Sequence, residues 1–307
     1  MNQLNKWQQE LESLSRRAEF ETNKKLHKYY RDALKEIKKE VKYYIEQYDE
    51  LPFSKRMEAE RLLDVGKQID EVLQTVYSKA DSVVADFGKE EAKRGYYGTW
   101  YALEGAENIQ MDMSFLPDKY IEQLVNHPIK GKTFSKRLYD HRNNLAEQVG
   151  NTLNYAAIRG KGYAWAAERI GNLTEASYKQ AYRIARTEGG RVQSTAKQRS
   201  YTEVKEKGVN LKKKWLSTID NKTRDTHQTL DGQVVEVDEE FESSSGAKAE
   251  GPRLFGVASE DIHCRCTTIA EVEGISPELR LDNESGETFD YKNYDEWLDD
   301  KIRASKL

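Results

Sequence analysis

Residues 212–241 read KKKWLSTIDNKTRDTHQTLDGQVVEVDEEF, and residues 251–268 read GPRLFGVASEDIHCRCTT. In the first segment Trp215, Ser217 and Ile219 alternate, which is typical of a strand with one buried face. Residues 223–230 can form a short helix, and Asp231 with Gly232 forms a turn signal before a valine-rich strand. The two segments therefore predict a strand–helix–strand unit that ends in a Cys-Arg-Cys strand.

The polar residues of this unit have a structural interpretation. We expect Asp220 to cap the short helix and Arg224 to pair with Asp225, Asp231 or the acidic strand that follows. Gly232 supplies a turn that needs a positive φ. Arg265 should reach a carboxylate between strands, where a lysine could not replace its bidentate fork.

The pattern W-x-S-x-x-D-x-x-T-R-x-x-H-x-x-L-D-G, followed by Phe241, Gly-Pro and C-R-C, resembles the phage Mu F-like minor head proteins, also called head morphogenesis proteins of tailed phages. An upstream Ala-Arg-Thr-Glu segment at 185–188 is similar to a helical segment of that family. The residues that carry the resemblance are Glu188, Trp215, Asp220, Thr223, Arg224, His227, Leu230, Asp231, Gly232, Phe241, Pro252, Cys264, Arg265 and Cys266. One departure is His263, where the family pattern has Asn.

The resemblance implies a minor capsid protein that enters the procapsid in a few copies near the portal. Its implied partners are the portal protein, the scaffolding or major capsid protein, and double-stranded DNA, whose delivery it would assist. Its implied location is the inside of the capsid, after assembly in the host cytoplasm. No apolar run approaches the roughly 18 residues of a membrane span, so we expect no membrane partner.

The chain as a whole is predicted to be α+β and predominantly α-helical. We expect a helical hairpin and a Gly/aromatic connector at 1–118, and a basic helical segment at 119–208. An α+β domain follows at 209–272, and 273–307 form an extended acidic tail whose end is a short docking helix. The tyrosine-rich residues at 88–133 are expected to be irregular, with their aromatic side chains packed in a turn. The glycine pair at 189–190 requires either a bend or a very close neighbour.

Charge is distributed unevenly along the chain. The 307 residues have a formal net charge of −4, but residues 119–215 have a net charge of +12 and residues 216–307 one of −12. A basic helix can contact phosphates without reading sequence. The predicted DNA-contacting residues are Lys179, Arg183, Arg186, Arg191, Lys197 and Arg199. The alternative is a solvated basic face that is balanced by the acidic part of the same molecule.

The two cysteines are separated by one residue, which is a poor spacing for a disulfide or a chelate. We predict no metal and no cofactor. The alternative is a zinc site formed by His227, Cys264 and Cys266, with His263 as a further candidate.

We predict a structural protein with no catalytic residues. The alternative enzyme is of the ADP-ribosyltransferase type, because Glu271 and Glu273 form a Glu-x-Glu pair downstream of a serine cluster at 243–245. The serines are expected to lie in a loop, which fits that chemistry poorly.

Overall fold

The structure is a computed structural model, and it describes residues 5–49, 59–107, 110–218, 220–272 and 293–306. Ile219, Glu273 and much of the predicted tail lie outside the described residues. The helices of the N-terminal two-thirds are α1 (Lys6–Asp49), α2 (Ala59–Glu107), α3 (Asp118–Val125), α4 (Phe134–Arg159) and α5 (Tyr163–Glu206). The C-terminal part contains short strands and helices, which confirms a mainly helical α+β fold.

The chain divides into two compact units. The first, the mixed unit, contains residues 1–19, 87–127 and 186–307; the second, the helical unit, contains residues 20–86 and 128–185. In the helical unit the apolar residues of α1 are largely buried, including Tyr30, Ile37 and Val41. Helix α4 begins at the Thr133 cap and ends at Gly160, whose φ of 60° is left-handed. The burial of these apolar residues follows the 3.6-residue period of a helix.

The Gly/aromatic region is helical, in contrast to the irregular connector that we expected. Helix α2 continues to Glu107, and the glycines of this region lie where neighbouring groups approach closely. A Cβ at Gly95 would lie 2.3 Å from the Gln193 carbonyl oxygen, and one at Gly105 would overlap the Trp7 ring. The aromatic residues are core, since Tyr96 and Trp100 are fully buried. The glycines allow other groups to pack against the helix here, and this benefit outweighs their low helix propensity.

Helix α5 runs without a break from Tyr163 to Glu206. The glycine pair at 189–190 has very close neighbours, as one of our two alternatives required. A Cβ at Gly189 would lie 2.2 Å from the Phe87 ring, and one at Gly190 would lie 2.3 Å from the Arg253 guanidinium.

The small α+β part is built on a three-stranded antiparallel sheet of order β2-β1-β5, with β1 (Leu211–Leu216) in the middle. Strand β2 (Val234–Glu236) pairs with one edge of β1, and β5 (Thr267–Val272) pairs with the other. A two-stranded ribbon, β3 (Phe241–Glu242) and β4 (Lys248–Ala249), lies outside this sheet. Two one-turn helices, α6 (Asp225–Gln228) and α7 (Ala258–Asp261), complete the strand–helix–strand arrangement that the sequence predicted.

The C-terminal helix α8 (Tyr294–Ala304) packs on its own unit. Its N-terminus carries a capping box formed by Asn293 and Glu296. Trp297 Nε1 donates to Glu104 at 2.7 Å, and Lys301 Nζ lies 2.6 Å from the same carboxylate. The predicted docking helix is therefore intramolecular. Among the described helices, none has the length and apolar character that crossing a membrane requires.

Candidate functional site

The family-motif residues converge on one small aromatic core. Trp215 of β1 lies at its centre, with ring centroids 5.2 Å from Phe241 and 5.6 Å from His227. Phe255 stacks on His227 at 5.8 Å, and Leu230 is fully buried in the same cluster. These residues come from four separate places in the chain, and the fold brings them into one shared core.

Three donor atoms meet in this core, and we call His227, Cys264 and Cys266 the Cys–His cluster. His227 Nδ1 lies 3.5 Å from Cys264 Sγ and 3.4 Å from Cys266 Sγ. All three side chains are buried, and their ligand atoms lie within 4.8 Å of one another. Imidazole nitrogen and thiolate sulfur are the donors that hold zinc in proteins, so the cluster could hold a metal.

The two thiols of the cluster titrate as a pair. A hydrogen bond from Cys264 lowers the pKa of Cys266, and the contacts from His227 and Ser217 act in the same direction against burial. The same hydrogen bond, together with burial, raises the pKa of Cys264. Cys266 is therefore the more acidic of the two thiols.

Glu260 lies on the other side of the imidazole. Its Oε2 is 2.9 Å from His227 Nε2, at an angle outside that of a hydrogen bond. Thr226 donates to Oε2 at 2.9 Å and Ser245 donates to Oε1 at 2.8 Å. Burial alone would raise the pKa of Glu260, but the two hydroxyl donors and His227 outweigh it, so the pKa lies below its usual value. Neither Thr226 nor Glu260 was singled out in the sequence, since a buried glutamate looks like any other acidic residue there.

Asp220 and Arg265 form the bidentate fork that the sequence predicted for Arg265. Both guanidinium Nη atoms of Arg265 donate to the Asp220 carboxylate, which holds the pKa of Asp220 well below its usual range. The prediction that Asp220 caps the short helix is wrong. Asp220 instead accepts from the backbone N–H of Lys222 at 2.9 Å, while the N-cap residue of α6 is Arg224. An Asp side chain that bonds two residues ahead stabilises a turn.

Arg224 has a partner that we did not predict. Its guanidinium donates to the carbonyl of Ile262 rather than to Asp225, Asp231 or the acidic strand. We did not predict a carbonyl partner, because the sequence indicates only which charged residues could pair with Arg224.

Asp231 and Gly232 fix the turn after α6. Asp231 accepts from the backbone N–H of Ser217 at 2.8 Å, and Gly232 has the predicted positive φ, at 80°. Gly232 also donates to the Trp215 carbonyl at 2.9 Å.

Arg253 connects α5 with the Cys-Arg-Cys segment and was missed in the sequence. Its Nε donates to the Cys264 carbonyl at 2.8 Å, and its Nη1 donates to the Gly190 carbonyl at 3.3 Å. The glycine pair at 189–190 indicated a close neighbour in the sequence, and Arg253 is that neighbour at Gly190. Pro252, next to it, is buried.

Two further predicted residues lie outside the Cys–His cluster. Glu188 is buried and pairs with Arg191 Nε at 3.0 Å. His263 is exposed, and its φ of 59° lies in the left-handed region. Alternation along the segment directs Cys264 and Cys266 inward while residues 263 and 265 are more exposed.

Several of the predicted DNA-contacting residues are engaged within the protein. Arg191 Nη2 donates to the Leu124 carbonyl at 2.8 Å, and Lys197 Nζ donates to Thr267 and Thr268 at 2.8 and 3.0 Å. Burial lowers the pKa of Lys197 to about 8. Our expectation of an exposed stripe therefore needs correction at Arg191 and Lys197, because the positive charge of each side chain is directed inward.

The other four basic residues differ in exposure. Arg186 lies 3.2 Å from Glu19, and Arg199 pairs with Glu203 at 2.9 Å. Arg183 is half-buried and donates to Gln180. Lys179 is the most accessible, with 70% of its side chain exposed beside Glu175.

The glutamate and the serines of the transferase-like pattern lie in different contact networks. Glu271 is exposed on β5 and pairs with Lys214 at 3.1 Å. Ser243 is buried and hydrogen-bonded to Ser245, which binds Glu260.

Comparison with known proteins identifies relatives of the whole chain. It is 51% identical over 306 residues to NAD(+)–arginine ADP-ribosyltransferase EFV of Enterococcus faecalis, covering 100% of this chain and 63% of that protein. The chain thus spans less than two thirds of that relative. It is 28% identical over 286 residues to minor head protein GP7 of Bacillus phage SPP1, covering 90% of this chain and 92% of GP7. No solved structure matches the chain.

The first of these relatives corrects one prediction. We predicted a structural protein without enzymatic activity, and a 51% identical relative that is named as an ADP-ribosyltransferase contradicts this.

The family assignment agrees with the resemblance seen in the motif. Residues 147–269 match the family model described as phage Mu protein F like protein, and this range contains the Cys–His cluster, the Asp220–Arg265 fork and the glycine pair of α5. The similarity to a phage minor head protein covers nearly the full length of both chains. Over residues 147–269 the chain is therefore similar to the phage Mu protein F-like family.

Proposed function

We propose that the protein is a minor head protein of a tailed phage and is incorporated into the head during assembly. The observation that carries this proposal is the match to minor head protein GP7, which spans 90% of this chain and 92% of the relative. The fold supports it, because the family-motif residues stabilise the α+β part and leave long charged helices as contact surfaces. Deleting the gene from the phage should yield heads that lack this protein and are defective. Normal, infectious heads without it would contradict the proposal.

The proposed partner within the head is the portal protein. The family resemblance is what suggests this partner, and the uneven charge of the chain supplies two surfaces of opposite sign for different contacts. The full chain and the portal protein, co-produced, should be recovered together when only the portal carries an affinity tag. Failure to recover this chain, while the major capsid protein recovers it, would assign the contact to the capsid shell instead.

We also propose contact with packaged DNA, and a role in its delivery, through the exposed part of the basic segment. The support is the net charge of +12 over residues 119–215 and the exposure of Lys179, Arg159, Lys161 and Arg169. Binding to random-sequence duplex DNA should weaken steeply with salt, and Lys179→Glu with Arg169→Glu should reduce the slope. The control is Lys248→Glu, at an exposed lysine of the acidic part. Absence of binding at low salt, or equal loss in the control, would contradict DNA contact.

A second candidate function is arginine ADP-ribosylation, which the 51% identical relative favours. In that reaction the bond between nicotinamide and ribose breaks, and a bond from ribose to a guanidinium nitrogen forms. Purified full chain with labelled NAD+ and an arginine-containing acceptor tests this directly. Labelling of the acceptor that is lost with Glu271→Gln but retained with Glu242→Gln would establish the activity. An unlabelled acceptor would exclude it under those conditions.

A further inference from the structure

The Cys–His cluster has the composition and spacing of a metal site. We propose that His227 Nδ1, Cys264 Sγ and Cys266 Sγ bind one zinc ion, which stabilises the α+β part of the mixed unit. The three residues come from α6 and from the segment that precedes β5, so one ion would tie two separate parts of the chain together. From the sequence we predicted no metal, because Cys-x-Cys alone is a poor chelate. The structure adds the His227 imidazole as a third donor, which favours the zinc alternative.

The distances between the donor atoms fit a tetrahedral ion. Zinc binds thiolate sulfur at about 2.3 Å and imidazole nitrogen at about 2.0–2.1 Å. Tetrahedral angles then require a sulfur-to-nitrogen separation of about 3.5 Å. The separations from His227 Nδ1 are 3.5 Å to Cys264 Sγ and 3.4 Å to Cys266 Sγ. Little movement of the side chains is therefore needed to admit the ion.

Hydrogen bonding within the protein explains the arrangement less well. A neutral imidazole nitrogen either donates one hydrogen bond or accepts one, so Nδ1 cannot serve two thiols equally. Both sulfurs nevertheless approach this one nitrogen at nearly equal distances. A common point between the three atoms, occupied by an ion, satisfies all of them at once.

The surroundings of His227 orient it for this role. Phe255 stacks on the ring, and Glu260 Oε2 lies 2.9 Å from Nε2. A carboxylate beside Nε2 favours the tautomer with a proton on Nε2, which leaves the lone pair of Nδ1 for the metal. Thr226 and Ser245 hold the carboxylate in turn. The short helix, the serine loop and α7 thus act together on one ring.

The donor set determines which metal the site would take. Two sulfurs and one imidazole favour zinc over magnesium or calcium, which prefer oxygen ligands. Burial of all three side chains indicates a structural role. The Ser217 hydroxyl lies 3.7 Å from Cys266 Sγ and already donates to the His227 carbonyl. On binding, any proton carried by a thiol passes to solvent, and no oxidant or reductant is needed.

The first experiment uses the full chain, purified without chelator and supplied with zinc or with cobalt alone. We expect about one zinc per chain by elemental analysis, and cobalt should show the thiolate-to-metal absorption that requires sulfur ligands. A chelator should lower the melting temperature, because the ion binds only the folded state. A folded chain that takes up neither metal at a stoichiometric level would overturn the proposal.

The second experiment assigns the ligands. Cys264→Ser and Cys266→Ser should each abolish the cobalt absorption, and Glu260→Gln should weaken metal affinity about 10–100-fold. The matched control is His263→Asn, because His263 adjoins the cluster but is exposed, and Asn tolerates its left-handed φ. Retained absorption in both serine variants, or equal loss in the control, would overturn the assignment. If a variant fails to fold, the cobalt spectrum of the unaltered chain still decides whether sulfur binds the metal.

Discussion

At the scale of single residues, the Asp220–Arg265 pair gives the sharpest test of the motif. Arg265→Lys should lower the free energy of unfolding at pH 7, because an ammonium cannot reproduce both guanidinium contacts. The pair lowers the folded-state pKa of Asp220, so its contribution is present above about pH 4 and is lost as pH falls below that value. The difference between variant and parent, measured by urea unfolding, should therefore shrink in acid.

A double-mutant cycle supplies the control for this pair. Asp220→Asn should cost about as much as Arg265→Lys, and the combined variant should cost little more than either. Strictly additive losses would show that the two side chains are not coupled.

Lys213 provides a second residue-scale prediction. It is fully buried in β1, where its ammonium donates to the Glu250 carbonyl at 2.9 Å, and burial lowers its pKa to about 8. The unfolded state then binds more protons between about pH 8 and 10, so the free energy of unfolding should rise with pH in that window. In Lys213→Met the rise should be smaller, with Lys197 accounting for the remainder.

The control for Lys213 is its neighbour in the same strand. Lys212 is more exposed and pairs with Glu236, so Lys212→Met should leave the slope between pH 8 and 10 unchanged. Parallel curves for Lys213→Met and its parent would contradict the burial of that ammonium. Three consecutive lysines look equally exposed in the sequence, and only the strand register distinguishes the middle one.

The sequence alone also predicts only part of the candidate site. The Arg265 fork was predictable, because a planar guanidinium near a strand needs a carboxylate. The Cys–His cluster could be proposed only as an alternative. Cys264 and Cys266 lie 37 and 39 positions from His227 in the chain, so their meeting depends on the fold. Glu260 was not predictable at all, since its burial depends on how α7 packs.

At the scale of elements, α5 shows how glycine can be required inside a helix. Gly189→Ala should destabilise the protein by about 1–3 kcal/mol, because its Cβ would lie 2.2 Å from the Phe87 ring. The matched control is Gly171→Ala in the same helix, where the nearest atom is 3.8 Å away. It should stabilise by about 0.5–1 kcal/mol through helix propensity. Equal effects of the two substitutions in urea unfolding would contradict the close packing.

Helix α8 gives a second prediction at this scale. Glu104 is buried and accepts from Trp297, Lys301 and the backbone N–H of Met111. Glu104→Ala should cost about 1–3 kcal/mol, because these donors lose their acceptor. It should also make residues 293–306 more susceptible to protease. Glu90 also lies in α2, but its carboxylate is exposed. Glu90→Ala should therefore neither lower the stability nor increase protease cleavage of residues 293–306.

The length of α2 shows why sequence patterns underestimate helices. The glycines of α2 look like breaks, because propensity counts each residue alone. Close packing inside the mixed unit reverses that preference at Gly95 and Gly105. The apolar residues of α1 and α4 present no such conflict, because they are buried at helical spacing.

At the scale of the whole molecule, the residues that stabilise the α+β part differ from the exposed residues that can contact other molecules. The motif residues of 215–266 contact one another, whereas many exposed charged residues lie on the long helices. The net charges of +12 and −12 were visible in the sequence. Which of those charges face solvent was not, as the inward-facing Arg191 and Lys197 demonstrate.

The central claim is that this chain is a component of the phage head. Mass spectrometry of purified heads, with peptide quantities compared with the major capsid protein, tests it most directly. The account predicts that the chain is present in a few copies per head and that heads from a phage lacking its gene contain none. Its absence from purified heads that contain the other head proteins would contradict the account.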